Sequence, residues 1–125
     1  MCGLKVLVVD DNRDTAMSCA RLLKGMGHDV QTAFDGFAAI EATRSFKPQA
    51  ILLDIGLPGM DGYCVAKALR HDPCCQHTRI IAISGYGQEE DRRRSRDAGF
   101  DHHLVKPVDL GELKALLKPV EAESR

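Results

Sequence analysis

Acidic side chains stand at two points where an apolar run breaks off. Asp10 and Asp11 follow LKVLVV, residues 4–9, and Asp54 closes AILLD, residues 50–54. A hydroxyl, Ser84, closes the run RIIAIS, and a lysine before a proline, Lys106–Pro107, follows HHLV. Carboxylates gathered at the exits of adjacent strands repel one another unless protons or a cation compensate them, and a hard divalent ion held by oxygen ligands does so. Magnesium is the expected ion. Asp54 and Asp11 would be direct ligands, the backbone carbonyl of Gly56 would lie within reach, and Asp10 would act through water. An ionised Asp54 can also accept a phosphoryl group, provided the charge of that group is neutralised. Lys106 would then place a point charge on one phosphoryl oxygen while the Ser84 hydroxyl donates to another.

Such a site needs elements that aim these side chains at one edge. The runs at 4–9, 50–54 and 79–84 have no polar alternation, which suits strands buried on both faces of a parallel sheet. His28 to Ala33 reads as a short edge strand and Phe100 to Val105 as the last strand. Between them lie helical patterns. Asn12 or Asp11 can cap a first helix that buries Ala16, Cys19, Ala20 and Leu23, widened by Leu22 and ended by Gly25 and Gly27. Asp35 and Gly36 lead into a second, carrying Phe37, Ile40 and Phe46 and stopped by Pro48. Asp61 can cap a third, with Val65, Ala66 and Leu69 on one face and Cys64 packed as a small hydrophobe. The segment Gln88 to Asp97 has helix-forming composition but almost no apolar face, so pairs such as Glu89 with Arg93 and Glu90 with Arg94 would have to support it. A last helix, capped by Asp109 and Glu112, would bury Leu110, Leu113, Leu116 and Leu117. Strand then helix, five times over, predicts an α/β doubly wound five-stranded parallel sheet of order 2-1-3-4-5 with helices on both faces, the reactive edge lying where that order switches.

The totals narrow the function classes. At 125 residues the chain makes one domain, expected to have its core over about residues 4–118 and frayed ends. A net charge of −1 supplies no basic field for nucleic acid, and with no Trp and only two Tyr it lacks stacking platforms. Its five cysteines form no disulfide framework and no signal segment precedes them, which predicts a cytoplasmic, reducing setting without direct membrane contact. Cys74 and Cys75 are adjacent, a spacing that does not suit a zinc site with His71 and His77. The arginines at 92–96 are flanked by acids and read as a solvated helix face. Taken alone, Asp10–Asp11 is a turn and helix cap, and only its placement with Asp54, Ser84 and Lys106 argues for chemistry.

Those five polar positions, DD at 10 and 11, D at 54, S at 84 and KP at 106 and 107, resemble the receiver domain of bacterial two-component response regulators, from Lys5 to about Leu117. The phrases LDIGLPGMDGY and SGYGQEEDRRRSRDAGFDHHLVKPVD look most like receivers attached to hybrid sensor kinases. The resemblance implies a flavodoxin-like fold and an Asp54 that takes its phosphoryl group from a phosphohistidine on a histidine kinase or phosphotransfer domain. It implies a cis bond before Pro107, movement of Ser84 toward the phosphoryl group, and a changed surface on the fourth helix, last strand and last helix that a downstream output domain or protein would read. The family's switch places an aromatic where this chain has His103, and an imidazole there could add a pH dependence. The chain closes soon after the last helix, as a free-standing receiver would, or one cut from a longer protein. Two rivals are a phosphorylation-independent binding module and an aspartyl-nucleophile phosphatase. The second usually needs an acid two residues after the nucleophile, where this chain has Gly56.

Overall fold

A computed structural model describes residues 3–57, 62–73, 77–84, 93, 96–105 and 110–117. The strands are β1 (Lys5–Val9), β2 (Asp29–Ala33), β3 (Ala50–Asp54), β4 (Arg79–Ser84) and β5 (His102–Val105), joined into one parallel sheet of order β2-β1-β3-β4-β5. The expected order is therefore the observed one. Helices α1 (Arg13–Gly25), α2 (Gly36–Phe46) and α3 (Gly62–Arg70) and a last helix, Leu110–Leu116, complete the described elements. Residues 93 and 96–98 are helical, and the rest of the Gln88–Asp97 segment lies outside the described residues.

Burial on both faces explains the unbroken apolar runs. Val6, Val8, Leu52 and Ile81 pack with Ala16, Ala20 and Leu23 of α1 and with Leu113 and Leu117. Leu7, Val9, Ile51 and Leu53 pack the other way, against Ala39 of α2 and Tyr63, Val65, Ala66 and Leu69 of α3. Every residue of β3 is buried, and each of its Leu and Ile side chains contributes roughly 1.5–3 kcal/mol by leaving water.

Three helix faces differ from expectation for one geometric reason. Phe37 is 69% exposed, Leu22 is half exposed, and Cys64 faces solvent. Each lies two residues from a buried position (Ala39, Ala20 and Ala66), which on a helix is a rotation of about 200° to the opposite side. The buried faces carry Ala16, Ala20 and Leu23 in α1, Ala39, Thr43 and Phe46 in α2, and Tyr63, Val65, Ala66 and Leu69 in α3. Asn12 caps α1 as expected, and Asp35, read from the sequence only as the entry to α2, caps it in the same way. Asn12 accepts from the Thr15 amide at 3.2 Å and Asp35 from that of Ala38 at 2.8 Å.

The last strand begins at His102 and not at Phe100. Asp101 donates its amide to the Ile80 carbonyl at 2.8 Å, and its Oδ2 accepts from the Ile80 amide at 2.9 Å, so a side chain takes the place of the first ladder partner. The same oxygen accepts from Arg70 Nη2 at 2.6 Å, while Arg70 Nε and Nη1 donate to the carbonyls of Gly99 and Thr78. Gly99 has φ +104 and a Cβ there would meet Arg70 Cγ at 2.7 Å, so glycine serves both the turn and the guanidinium lying over it. Phe100 is buried edge-on against Tyr63. Strand β2 likewise starts one residue after His28, whose Nδ1 accepts from the Leu4 amide at 3.0 Å.

At the other edge α3 is pressed onto the end of β3. A Cβ on Gly62 would stand 2.6 Å from Ile55 Cα and 2.9 Å from the Asp54 carbonyl oxygen. Gly62→Ala must move backbone at that point, and its expected cost is about 1–3 kcal/mol in chemical denaturation, typical of an overpacked site. His28 supplies a second test. Burial lowers its pKa below the ordinary 6.5, so the unfolded chain binds the proton first as pH falls through that value, and the stability present above it is lost on acidification. The urea midpoint should fall between pH 7 and 5.5. His28→Asn, with a non-titrating acceptor at the same place, should flatten that slope.

Candidate functional site

Strands β1 and β3 run side by side in the register Val9 with Leu53, so the residues that follow, Asp10 and Asp54, leave the sheet together. Both carboxylates are nearly covered, Asp10 at 6% and Asp54 at 8% exposure, while Asp11 faces solvent. One oxygen from each of Asp10, Asp11 and Asp54 lies within 4.8 Å of the others. At such a spacing each pair of ionised carboxylates repels by about 3 kcal/mol at an effective dielectric constant near 20.

Two main-chain donors aim the buried pair. The Asn12 amide donates to Asp10 Oδ1 at 2.9 Å and the Gly56 amide to Asp54 Oδ1 at 3.0 Å, the same two-residue turn used at both strand exits. Asp10 is fixed further by its own amide, which donates to the Ala33 carbonyl at 3.2 Å. The amide of Ile55 donates to the Ile83 carbonyl at 3.0 Å, extending the β3–β4 ladder past Asp54. These amide donors were not anticipated from the sequence, although an Asp at a strand exit followed by a turn is their signature. Gly56 is exposed, and a Cβ there would stand 3.7 Å from Asp54 Oδ1, an ordinary contact. Glycine at 56 thus places no side chain against the Asp54 carboxylate.

Ser84 ends β4, one residue past the register partner of Asp54, and is 7% exposed. Its Oγ lies 2.8 Å from Nε2 of His103, a half-buried residue of β5. The sequence set His103 where an aromatic was expected, with a pH dependence in view, and did not anticipate its hydrogen bond to Ser84. Lys106, Pro107 and the expected cis bond lie outside the described residues, as do the caps Asp61 and Asp109 and the pair Cys74 and Cys75.

The donor set suits a hard divalent cation. Three carboxylates, each with an oxygen within 4.8 Å of the others, are the hard oxygen ligands that magnesium prefers. Water can take the positions the carboxylates leave. Among the described residues this is the one cluster of His, Cys, Asp or Glu with metal-binding spacing, and no helix is long and apolar enough to cross a membrane.

Comparison with known proteins gives a consistent result. The family model of the response regulator receiver domain matches residues 6–118. The protein PilG of Pseudomonas aeruginosa is 34% identical across 98% of this chain and 96% of its own length. The transcriptional regulatory protein PrrA of Mycobacterium tuberculosis is 40% identical over 91% of this chain, which spans only 48% of that longer protein. Among solved structures, the Vibrio cholerae chemotaxis protein CheY4 superposes with a TM-score of 0.87 at 26% identity, covering 94% of this chain and 100% of its own. The receiver domain of a Pseudomonas aeruginosa sensor histidine kinase, with magnesium coordinated in its active-site cleft, gives 0.84 at 29% identity over 93% and 95%.

Cys19 reports on the charge of the cluster. Burial raises its thiol pKa, and the negative charge of Asp10 raises it further. Peptide-resolved alkylation at pH 8 should therefore label Cys19 more slowly than exposed Cys64. Asp10→Asn should speed Cys19 modestly without bringing it level with Cys64, because burial is the larger cause.

Proposed function

The chain belongs to the response regulator receiver family, and from that premise we propose that it is a phospho-acceptor switch of a two-component phosphorelay, with Asp54 receiving the phosphoryl group. The single observation that carries this reading is the convergence of Asp10, Asp11 and Asp54 within 4.8 Å at the exits of β1 and β3. The donor would be a phosphohistidine on a histidine kinase or histidine phosphotransfer domain. An Asp54 oxygen attacks phosphorus, the O–P bond forms as the P–N bond breaks, and the leaving imidazole keeps the electron pair and takes up a proton.

Each residue of the edge has a part. The Gly56 amide holds Asp54 Oδ1, which leaves the carboxylate oriented before the donor arrives and so removes an entropic cost from the encounter. Asp11, Asp54 and the Gly56 carbonyl would hold magnesium, with Asp10 acting through water. The bound ion would neutralise charge on the phosphoryl oxygens. Lys106 would contact one of those oxygens and the Ser84 hydroxyl another. The change would be read on the surface of the Gln88–Asp97 segment, β5 and the last helix, by an output domain or a separate protein. A cytoplasmic setting fits the cysteine content. An aspartyl phosphatase fits less well, since Gly56 stands where its second acid would be.

Intact mass after incubation with acetyl phosphate tests the proposal. Wild type should gain about 80 Da, one phosphoryl group, with magnesium and not without it. Asp54→Asn should gain nothing, and Asp11→Asn should raise the magnesium needed for half-maximal labelling roughly tenfold or more, the consequence of one lost charged ligand. Absence of labelling in a folded, magnesium-binding wild type would favour the phosphorylation-independent binding module.

A further inference from the structure

The Ser84 hydroxyl carries one proton and two lone pairs. Its Oγ is 2.8 Å from His103 Nε2, and that contact can run in either of two senses. If Nε2 is bare, the hydroxyl gives its proton to the imidazole. If Nε2 carries hydrogen, the imidazole donates to Oγ and the hydroxyl proton points elsewhere. A phosphoryl oxygen on Asp54 only accepts, so it competes with a bare Nε2 for the same proton.

We infer that His103 is a positioning residue whose Nε2 protonation decides whether Ser84 offers its hydrogen to a phosphoryl group on Asp54, which makes the lifetime of that group depend on pH near neutrality. The inference rests on Asp54 being the phospho-acceptor. Its direction follows from the imidazole chemistry. The cation always carries hydrogen on Nε2, whereas the neutral ring carries it there in one tautomer only. Acidification therefore increases the share of molecules in which Ser84 is turned toward the phosphoryl group, and lengthens its lifetime. Among the described residues, the titratable side chains lining the cleft beside His103 are its neighbour His102 and Glu112 of the last helix. Strand β4 presents Ala82 and Ser84 to this part of β5, and its one charged residue, Arg79, sits at the far end bonded to the Leu116 carbonyl. A charged His102 opposes protonation of His103 and Glu112 favours it. Both shift the midpoint of the effect.

The test has two arms. In the first, wild type, His103→Phe and His103→Gln are labelled with acetyl phosphate and magnesium, freed of reagent, and followed by intact mass from pH 5.5 to 8. Comparison with the Phe variant cancels the intrinsic pH dependence of acyl phosphate hydrolysis. The ratio of wild-type to variant lifetime should rise roughly two- to tenfold from pH 8 to pH 5.5, the worth of one hydrogen bond. The Gln variant, which hydrogen-bonds without titrating, should behave as the Phe variant does and stands in for it if the ring fails to fold. A ratio independent of pH overturns the inference while leaving the phospho-acceptor reading intact, and a wild type that takes no phosphoryl group overturns both. The second arm needs no phosphorylation. The ring nitrogen resonances of His103, followed by NMR against pH in wild type and Ser84→Ala, should differ in Nε2 shift and in titration midpoint. Identical ring titrations would show that Nε2 and Oγ are not coupled, and would overturn the inference.

Discussion

Mutual repulsion among Asp10, Asp11 and Asp54 is the constraint the scaffold has to overcome. Oxygens within 4.8 Å of one another would spread apart on a flexible loop, and they are held by the fixed register of two buried strands. The energy that holds them comes from apolar burial elsewhere. Strand β3 is covered on both faces, so moving Asp54 outward would require repacking Leu52 and Leu53 on opposite sides of the sheet. A charged cluster can thus be kept ready for an ion or a transferred group at the cost of stability that the two cores supply.

The two ends of the sheet are built differently. At the end away from the carboxylates, Arg70 ties α3 to Thr78, Gly99 and Asp101, and His28 ties β2 to Leu4. Apart from the Arg70–Asp101 ion pair, these contacts join side chains to backbone, and they close the sheet where no chemistry is expected. At the carboxylate end, tight turns aim the acids. Asp10 and Asp54 each accept from an amide two residues on, and Gly62 lets α3 start directly against the Asp54 carbonyl.

Sheet order and the acidic edge were legible because both follow from strong, short-range signals. Continuous apolar runs ending in Asp or Ser mark doubly covered strands and their exits. Helix faces were harder to read. In the second helix the exposed Phe37 drew attention away from Ala39, and in the first Leu22 widened a face that the structure confines to Ala16, Ala20 and Leu23. Cys64, expected to pack as a small hydrophobe, faces solvent instead. The start of β5 was hidden because Asp101, a polar residue in an apolar run, substitutes its side chain for a ladder partner, and nothing in local propensity announces a side chain acting as backbone. The Ser84–His103 bond depends on the pairing of two strands nineteen residues apart, which fixes which side chains meet only once the register is known.

Position in the sheet also grades how readily each strand can yield. Among the described residues, strand β3 is bonded on both sides, whereas four-residue β5 is bonded on one side only, to β4. Opening β5 exposes a single ladder and little of the interior, so it belongs to the part of the molecule that exchanges its amide hydrogens through partial opening, while β3 protects its own until the whole chain unfolds. His103 sits on the yielding side of that divide and Asp54 on the rigid one. Under the proposed switch, an event at the anchored strand would be reported by a strand able to shift without loosening the anchor.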